Sequence, residues 1–207
     1  MKEDSCIFFD LDGTLLDAKE RLYRLFSYLV PENTLNFNDY WTLKREQKEH
    51  HFILKEYYNY SNEAIAGFEQ KWLSEIEQPQ WLQYDKPFDW AADLLSYLHP
   101  NYLLYVVTAR QSEEALKKQL SQFEWNKLLA DILVTKQQVE KYDLINSLSM
   151  NKEKSWMIGD TGKDIQAGQK VGIKTAGVLT GFKNRESLQK YNPDIIVESA
   201  NELLSVL

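Results

Sequence analysis

A single cysteine, Cys6, stands among 207 residues. It has no partner for an intramolecular disulfide, which fits a reducing, cytoplasmic compartment. Glycine and proline are scarce, at 8 and 5 residues, and that excludes collagen-like and low-complexity chains. No apolar run approaches the ~20 residues that span a bilayer. The opening MKEDSCIFFDLDG turns acidic after about four apolar residues, too few for a secretory leader. Positive charge is in deficit, 24 Lys and Arg against 31 Asp and Glu, for a net charge of −7. Such a surface repels nucleic acid and anionic membrane and argues against both as partners. No internal repeat of 20–50 residues is visible.

A chain of this size buries roughly 70% of its unfolded surface, enough for one or two domains without staples. Its sequence has three textures. Residues 5–10, SCIFFD, form a short apolar run ending on an acid and predict a buried strand. Residues 17–85 are rich in Lys, Glu, Gln, Tyr and Trp, hold a lone glycine, Gly67, and predict an all-helical insertion. Leu22, Leu25, Phe26 and Leu29 fall at i, i+3, i+4 and i+7 ahead of Pro31. A second helical stretch is expected from Asn38 to Tyr58, with Lys44 to Lys48 on its solvated face. A third starts at Ser61, a good N-cap. The pair His50-His51 is expected at the surface, because adjacent helical positions diverge and no further ligand stands at metal spacing. Arg21 and Arg24 are expected as exposed helix residues.

From residue 88 onward the runs YLLYVV, ADILV, SWMIG, TAGVL and DIIV alternate with helical stretches. That pattern predicts an α/β fold with a mainly parallel sheet and right-handed crossovers. Ligands of such sheets bind beyond the carboxyl ends of the strands. Asp10-Leu11-Asp12-Gly13-Thr14 ends the first strand, Thr108-Ala109-Arg110 the second, and Gly159-Asp160-Thr161-Gly162-Lys163-Asp164 the fourth. The carboxylates of Asp10 and Asp12 repel unless a cation or a shared proton intervenes. With Asp160 they suit Mg²⁺ held by few carboxylates plus substrate oxygens and water. Gly13 permits a tight turn that offers N–H groups to an anion, and the Thr108 hydroxyl can donate to a phosphate oxygen. This set suits phosphoryl transfer: one aspartate attacks phosphorus while the other gives and then takes a proton. The Gly-Lys at 162–163 lacks the spacing and the Ser or Thr of a nucleotide loop.

These residues resemble the haloacid dehalogenase superfamily, in its helical-cap, phosphoglycolate phosphatase-like branch. Phe9-Asp10-Leu11-Asp12-Gly13-Thr14-Leu15 is similar to the first motif, Val107-Thr108-Ala109-Arg110 to the second, and Ile158 to Gly168 to the fourth. Gly177-Val178-Leu179-Thr180-Gly181-Phe182 resembles the loop after the fifth strand. The resemblance implies a Rossmann-like three-layer core, residues 1–16 and 86–207, with strand order 5-4-1-2-3. It implies a helical cap at 17–85. It also implies Asp10 as nucleophile and Asp12 as general acid/base. The metal set would be Asp10, Asp160 and the Asp12 carbonyl, with Asp164 supporting the metal through water or bracing a lysine. Thr108 and the Ala109 N–H would bind phosphate, with Gly13, Thr14 and Arg110 among the substrate-binding residues. The motif lysine falls on Lys141, which opens KYDLINSL, with Lys136 as the alternative.

The implied activity is Mg²⁺-dependent hydrolysis of a small phosphorylated metabolite through an aspartyl-phosphate, by a monomer or homodimer. A phosphomutase of the β-phosphoglucomutase type uses the same core, so the motifs leave it open. A non-catalytic binding domain is disfavoured, because Asp10, Asp12 and Asp160 are all present.

Overall fold

A computed structural model describes residues 4–46 and 48–207. The chain divides into two compact units, Met1–Asp17 with Lys86–Leu207, and Ala18–Asp85. Strand β1 (Cys6–Phe9) is four apolar residues, none exposed. The chain then leaves and re-enters the first unit through a two-stranded antiparallel ribbon, Leu16–Asp17 against Lys86–Pro87.

The second unit is helical: α1 (Lys19–Leu29), α2 (Phe37–Arg45), α3 (His50–Tyr58), α4 (Asn62–Glu75) and α5 (Pro79–Leu82). Asn36 caps α2 and Ser61 caps α4 through their side-chain oxygens. The single helix expected over 38–58 is broken between α2 and α3. Ten residues of unbroken helix would hold Tyr40 and His50 about 15 Å apart. Instead the Tyr40 hydroxyl lies 2.7 Å from His50 Nε2. The Lys44 to Lys48 run is therefore not one helix face; Lys44 pairs with Glu49, Lys48 lies over the Phe52 ring, and Gln47 lies outside the described residues.

His50, expected at the surface, is half-buried. It stacks on Phe26 at 5.5 Å and meets Trp72 at 4.3 Å between ring centroids, while His51 is exposed. Burial, helped by the Lys44 charge, holds the His50 imidazole well below its usual range. Arg21, expected in solvent, is buried. Its Nε donates to Asp85 Oδ1 at 2.8 Å and its Nη1 to the Ile76 carbonyl at 3.2 Å. Arg24 is exposed, as expected.

The rest of the first unit alternates: α6 (Ala91–Leu98), β2 (Leu103–Thr108), α7 (Glu113–Gln122), β3 (Asp131–Val134), α8 (Lys141–Asn146), β4 (Trp156–Gly159), α9 (Gly162–Val171), β5 (Lys174–Val178), α10 (Arg185–Gln189) and β6 (Ile195–Val197). All six main strands are parallel to their neighbours. The sheet runs β3-β2-β1-β4-β5-β6, which is the expected order with β6 added at the edge.

Alternation along β1 builds the two cores. Ile7 and Phe9 pack with Leu94 and Leu98 of α6 and Leu116 and Leu120 of α7. Cys6 and Phe8 pack with Ile145 of α8 and Val171 of α9. Burial of each phenylalanine contributes about 2–3 kcal/mol, so both faces anchor β1 at the centre.

Candidate active site

Strand register brings the site together. Phe9 of β1 stands beside Val106 on one side and Ile158 on the other. Asp10, one residue beyond, therefore lies between the ends of β2 and β4, where Thr108 and Asp160 emerge. Its N–H donates to the Ile158 carbonyl at 2.8 Å. Asp10, Thr108, Asp160 and Asp164 are all buried.

Lys141, the first residue of α8, closes the site. Its Nζ donates to Asp10 Oδ1 and, at 2.6 Å, to Asp164 Oδ1. The other Asp164 oxygen accepts from the Thr161 N–H at 3.0 Å and the Thr161 hydroxyl at 2.6 Å. Asp164 thus caps α9 and braces the lysine at once. Lys136 stands apart. Its backbone is left-handed at φ 52°, and its Nζ lies 3.5 Å from Glu113 Oε2.

The electrostatics follow from crowding. Burial pushes the Asp10 carboxyl up to about 7; Lys141 opposes the rise, and Asp164 and Asp12 add to it. Burial, then Asp10 and Asp164, hold Asp160 well above the carboxylate range. Burial disfavours the Lys141 charge, but Asp10 and Asp164 outweigh it and keep the ammonium above its usual range.

Oxygens of Asp10, Asp160 and Asp164 lie within 4.8 Å of one another. Asp160 Oδ1 is buried without a hydrogen-bond partner among the described residues, while Oδ2 accepts from the Phe182 N–H at 2.6 Å. Three hard carboxylates, one of them with an unmet buried oxygen, fit a divalent cation such as Mg²⁺.

The loop after β5 presses on this set. Thr180 Oγ1 donates to the Gly13 carbonyl at 2.6 Å. A Cβ at Gly181 would stand 1.9 Å from Asp160 Oδ2, so only glycine allows the approach. Gly13 sits at φ 90°, and a Cβ there would lie 2.7 Å from the same oxygen.

Thr14 is fully buried, and its Oγ1 has no hydrogen-bond partner among the described residues. Ala109 is exposed and lines a cavity of about 570 Å³ with Thr135, Gln137, Gln138, Lys141 and Lys163. Arg110, expected to face substrate, is buried and turned onto Asp12. Its Nε donates to Oδ2 at 2.9 Å and its Nη2 to Oδ1 at 2.6 Å.

Gln119 escaped sequence reasoning altogether, while Thr161, Thr180 and Phe182 fell within quoted motifs without being assigned a role. The Thr-x-x-Asp spacing of a reciprocal cap was the local signal for Thr161.

The chain is similar to known proteins. The sequence profile of the haloacid dehalogenase-like hydrolases matches residues 7–178. A pyrophosphatase PpaX of Bacillus cereus is 29% identical over 97% of this chain and 95% of its own. One from Halalkalibacterium halodurans is 24% identical over 99% and 97%. Among solved structures, a haloacid dehalogenase-like hydrolase from Streptococcus pneumoniae superposes with TM-score 0.79 at 24% identity, covering 100% of this chain and 99% of that one. A predicted phosphoglycolate phosphatase from Haemophilus somnus gives 0.73 at 17%, covering 100% and 98%. At such identities the structural likeness is one of fold. The matched profile spans most of the chain, from β1 to the end of β5, and on that match this protein belongs to the haloacid dehalogenase-like hydrolases.

Proposed function

We propose that this protein is a Mg²⁺-dependent phosphatase that cleaves a small phosphorylated compound through an aspartyl-phosphate on Asp10. The observation that carries the reading is the meeting of Asp10, Thr108 and Asp160 at adjacent strand ends with Lys141 bridging Asp10 and Asp164.

In this reading an Asp10 carboxylate oxygen attacks phosphorus as the bond to the leaving oxygen breaks. Asp12 passes a proton to that oxygen. Asp12 then takes a proton from water while the water oxygen attacks phosphorus, which frees Asp10 and releases phosphate. The Thr108 hydroxyl and the Ala109 N–H hold phosphoryl oxygens; Gly13 and Thr14, expected to offer N–H groups to the substrate, instead shape the first loop, their N–H groups donating to the Leu16 and Leu11 carbonyls at 2.7 and 3.2 Å. Lys141 remains protonated and offsets charge on Asp10 and the phosphoryl group. Asp10, Asp160 and the Asp12 carbonyl would hold the metal, with Asp164 in support; bound there, Mg²⁺ neutralises carboxylate and phosphate charge together. The helical unit is assigned the role of a substrate-selecting cap. The buried, unpaired Cys6 suits a reducing cytoplasm.

Relatives named pyrophosphatase make inorganic pyrophosphate the first compound to assay, followed by phosphoglycolate, sugar phosphates and nucleoside monophosphates. Phosphate release that requires Mg²⁺, is lost in EDTA and is abolished in a folded Asp10→Asn variant is the expected result. An Asp10→Asn enzyme with near-normal Mg²⁺-dependent activity would refute the nucleophile assignment. Sugar-phosphate isomerisation without net phosphate release would point to a mutase.

A further inference from the structure

We propose that Arg110 and Gln119 form a buried clamp that positions the Asp12 carboxyl group, which gives its proton to the leaving group and takes one back from the attacking water. The inference rests on the phosphatase reading above and assigns Arg110 a positioning role in place of substrate binding.

The geometry is that of a two-pronged fork. Nε and Nη2 of Arg110 meet the two oxygens of Asp12 at 2.9 and 2.6 Å, and Nη1 donates to Gln119 Oε1 at 2.6 Å. The Arg110 side chain is 4% exposed and that of Asp12 20%. A planar guanidinium that meets both carboxylate oxygens fixes the carboxylate plane as well as its place. Gln119, buried on α7, holds the far side of the guanidinium.

The backbone of Arg110 is tied in too. Its N–H donates to Thr108 Oγ1 at 3.3 Å, and its carbonyl accepts from the Lys136 N–H at 3.1 Å. One residue thus connects the phosphate-binding strand end with the acid/base group. Asp12 has the larger exposure of the pair, and the fork engages both of its oxygens.

A substrate that must receive a proton as its leaving group departs depends on this positioning. One whose leaving group departs as a stable anion depends on it far less. Arg110→Lys keeps a positive charge but cannot make the planar fork. The test is kcat/KM, which ends at departure of the leaving group, on substituted phenyl phosphates from p-nitrophenyl to unsubstituted phenyl, with Mg²⁺ present. General acid catalysis contributes about 10²–10⁴-fold, so phenyl phosphate should lose ~30–100-fold in Arg110→Lys and p-nitrophenyl phosphate under ~5-fold. The ratio of the two rates on one preparation is insensitive to the fraction of folded protein. Gln119→Met, which loosens the fork while leaving Arg110 in place, should shift the same ratio in the same direction by a smaller factor. Equal losses on both substrates, or none, in both variants would overturn the clamp and leave the phosphatase reading intact. A folded wild-type protein that releases phosphate neither from the series nor from pyrophosphate and the metabolites named above would overturn the phosphatase reading and the clamp with it.

Discussion

Replacing Gly181 by alanine tests whether the loop after β5 holds Asp160 in place. The new Cβ would lie 1.9 Å from Asp160 Oδ2, 2.4 Å from Cγ and 2.6 Å from Cβ. Ordinary C···O contact begins near 3.3 Å, so one partner must move by more than about 1 Å. Asp160 has no exposure to relax into. Overpacking of this kind costs about 1–3 kcal/mol, and leaving the buried partners of the Phe182 N–H bond unsatisfied about 1–3 kcal/mol more. The two effects share one displacement, so about 2–5 kcal/mol is expected in total. For a domain of this size that lowers Tm by roughly 5–15 °C. Shifting a residue that orients a metal ligand typically costs 10–100-fold in metal affinity, so the Mg²⁺ concentration for half-maximal activity should rise by about that factor. Differential scanning fluorimetry and a Mg²⁺ titration read both effects. A variant that melts within about 2 °C of wild type, with an unchanged Mg²⁺ response, would refute the argument.

Gly67→Ala should do the opposite, because Gly67 lies exposed within α4 with open space around it. A gain of about 0.5–1 kcal/mol in denaturant unfolding is expected, and a loss would contradict the helix geometry. Arg21→Met strips the guanidinium from Asp85, whose side chain has no exposure, and should destabilise the helical unit by about 3–5 kcal/mol. Arg21→Met/Asp85→Leu should recover much of that in the same unfolding assay; a single-variant loss below about 1 kcal/mol would count against the pair. His50 is depressed in the folded chain, so the unfolded chain takes up its proton first as pH falls. Its contribution is complete above about pH 6.5 and declines as pH falls below it. His50→Phe should remove that part of the pH dependence. Parallel stability curves for wild type and variant between pH 8 and pH 5 would sink the idea.

Strands were legible because β1 and β4 are buried on both faces and β2 nearly so, and all three read as unbroken apolar runs that lead into polar residues. Strand order came with the family resemblance, not from the runs themselves. What escaped were pairings across long stretches of chain. Arg110 finds Asp12 at a separation of 98 residues, and Arg21 finds Asp85 at 64. Neither side chain advertises its partner locally, so both arginines read as exposed or substrate-facing. Lys136 and Lys141 differ by only five positions, and spacing alone left both open. Their backbones separate them: the left-handed turn at Lys136 sends its side chain toward Glu113, while Lys141 opens a helix beside Asp10. The break between α2 and α3 was hidden for a related reason. His50 leaves the helical path to join aromatic rings contributed by α1 and α4.

The antiparallel ribbon of Leu16–Asp17 and Lys86–Pro87 has a consequence for how this chain tolerates change. It brings the two ends of a connection of about seventy residues side by side within the first unit. Inside the second unit, the Arg21–Asp85 pair ties the same two ends again. Loop-closure entropy grows only with the logarithm of length, so this connection costs roughly 2–3 kcal/mol more to close than a four-residue turn. Each unit therefore closes its own end of the junction. A segment of different length inserted at that point is expected to leave the register of β1 and the placement of Asp10 unchanged. The junction works as a hinge pin for the chain's path: the excursion begins and ends on paired residues, and the strand ends of the first unit do not depend on its length.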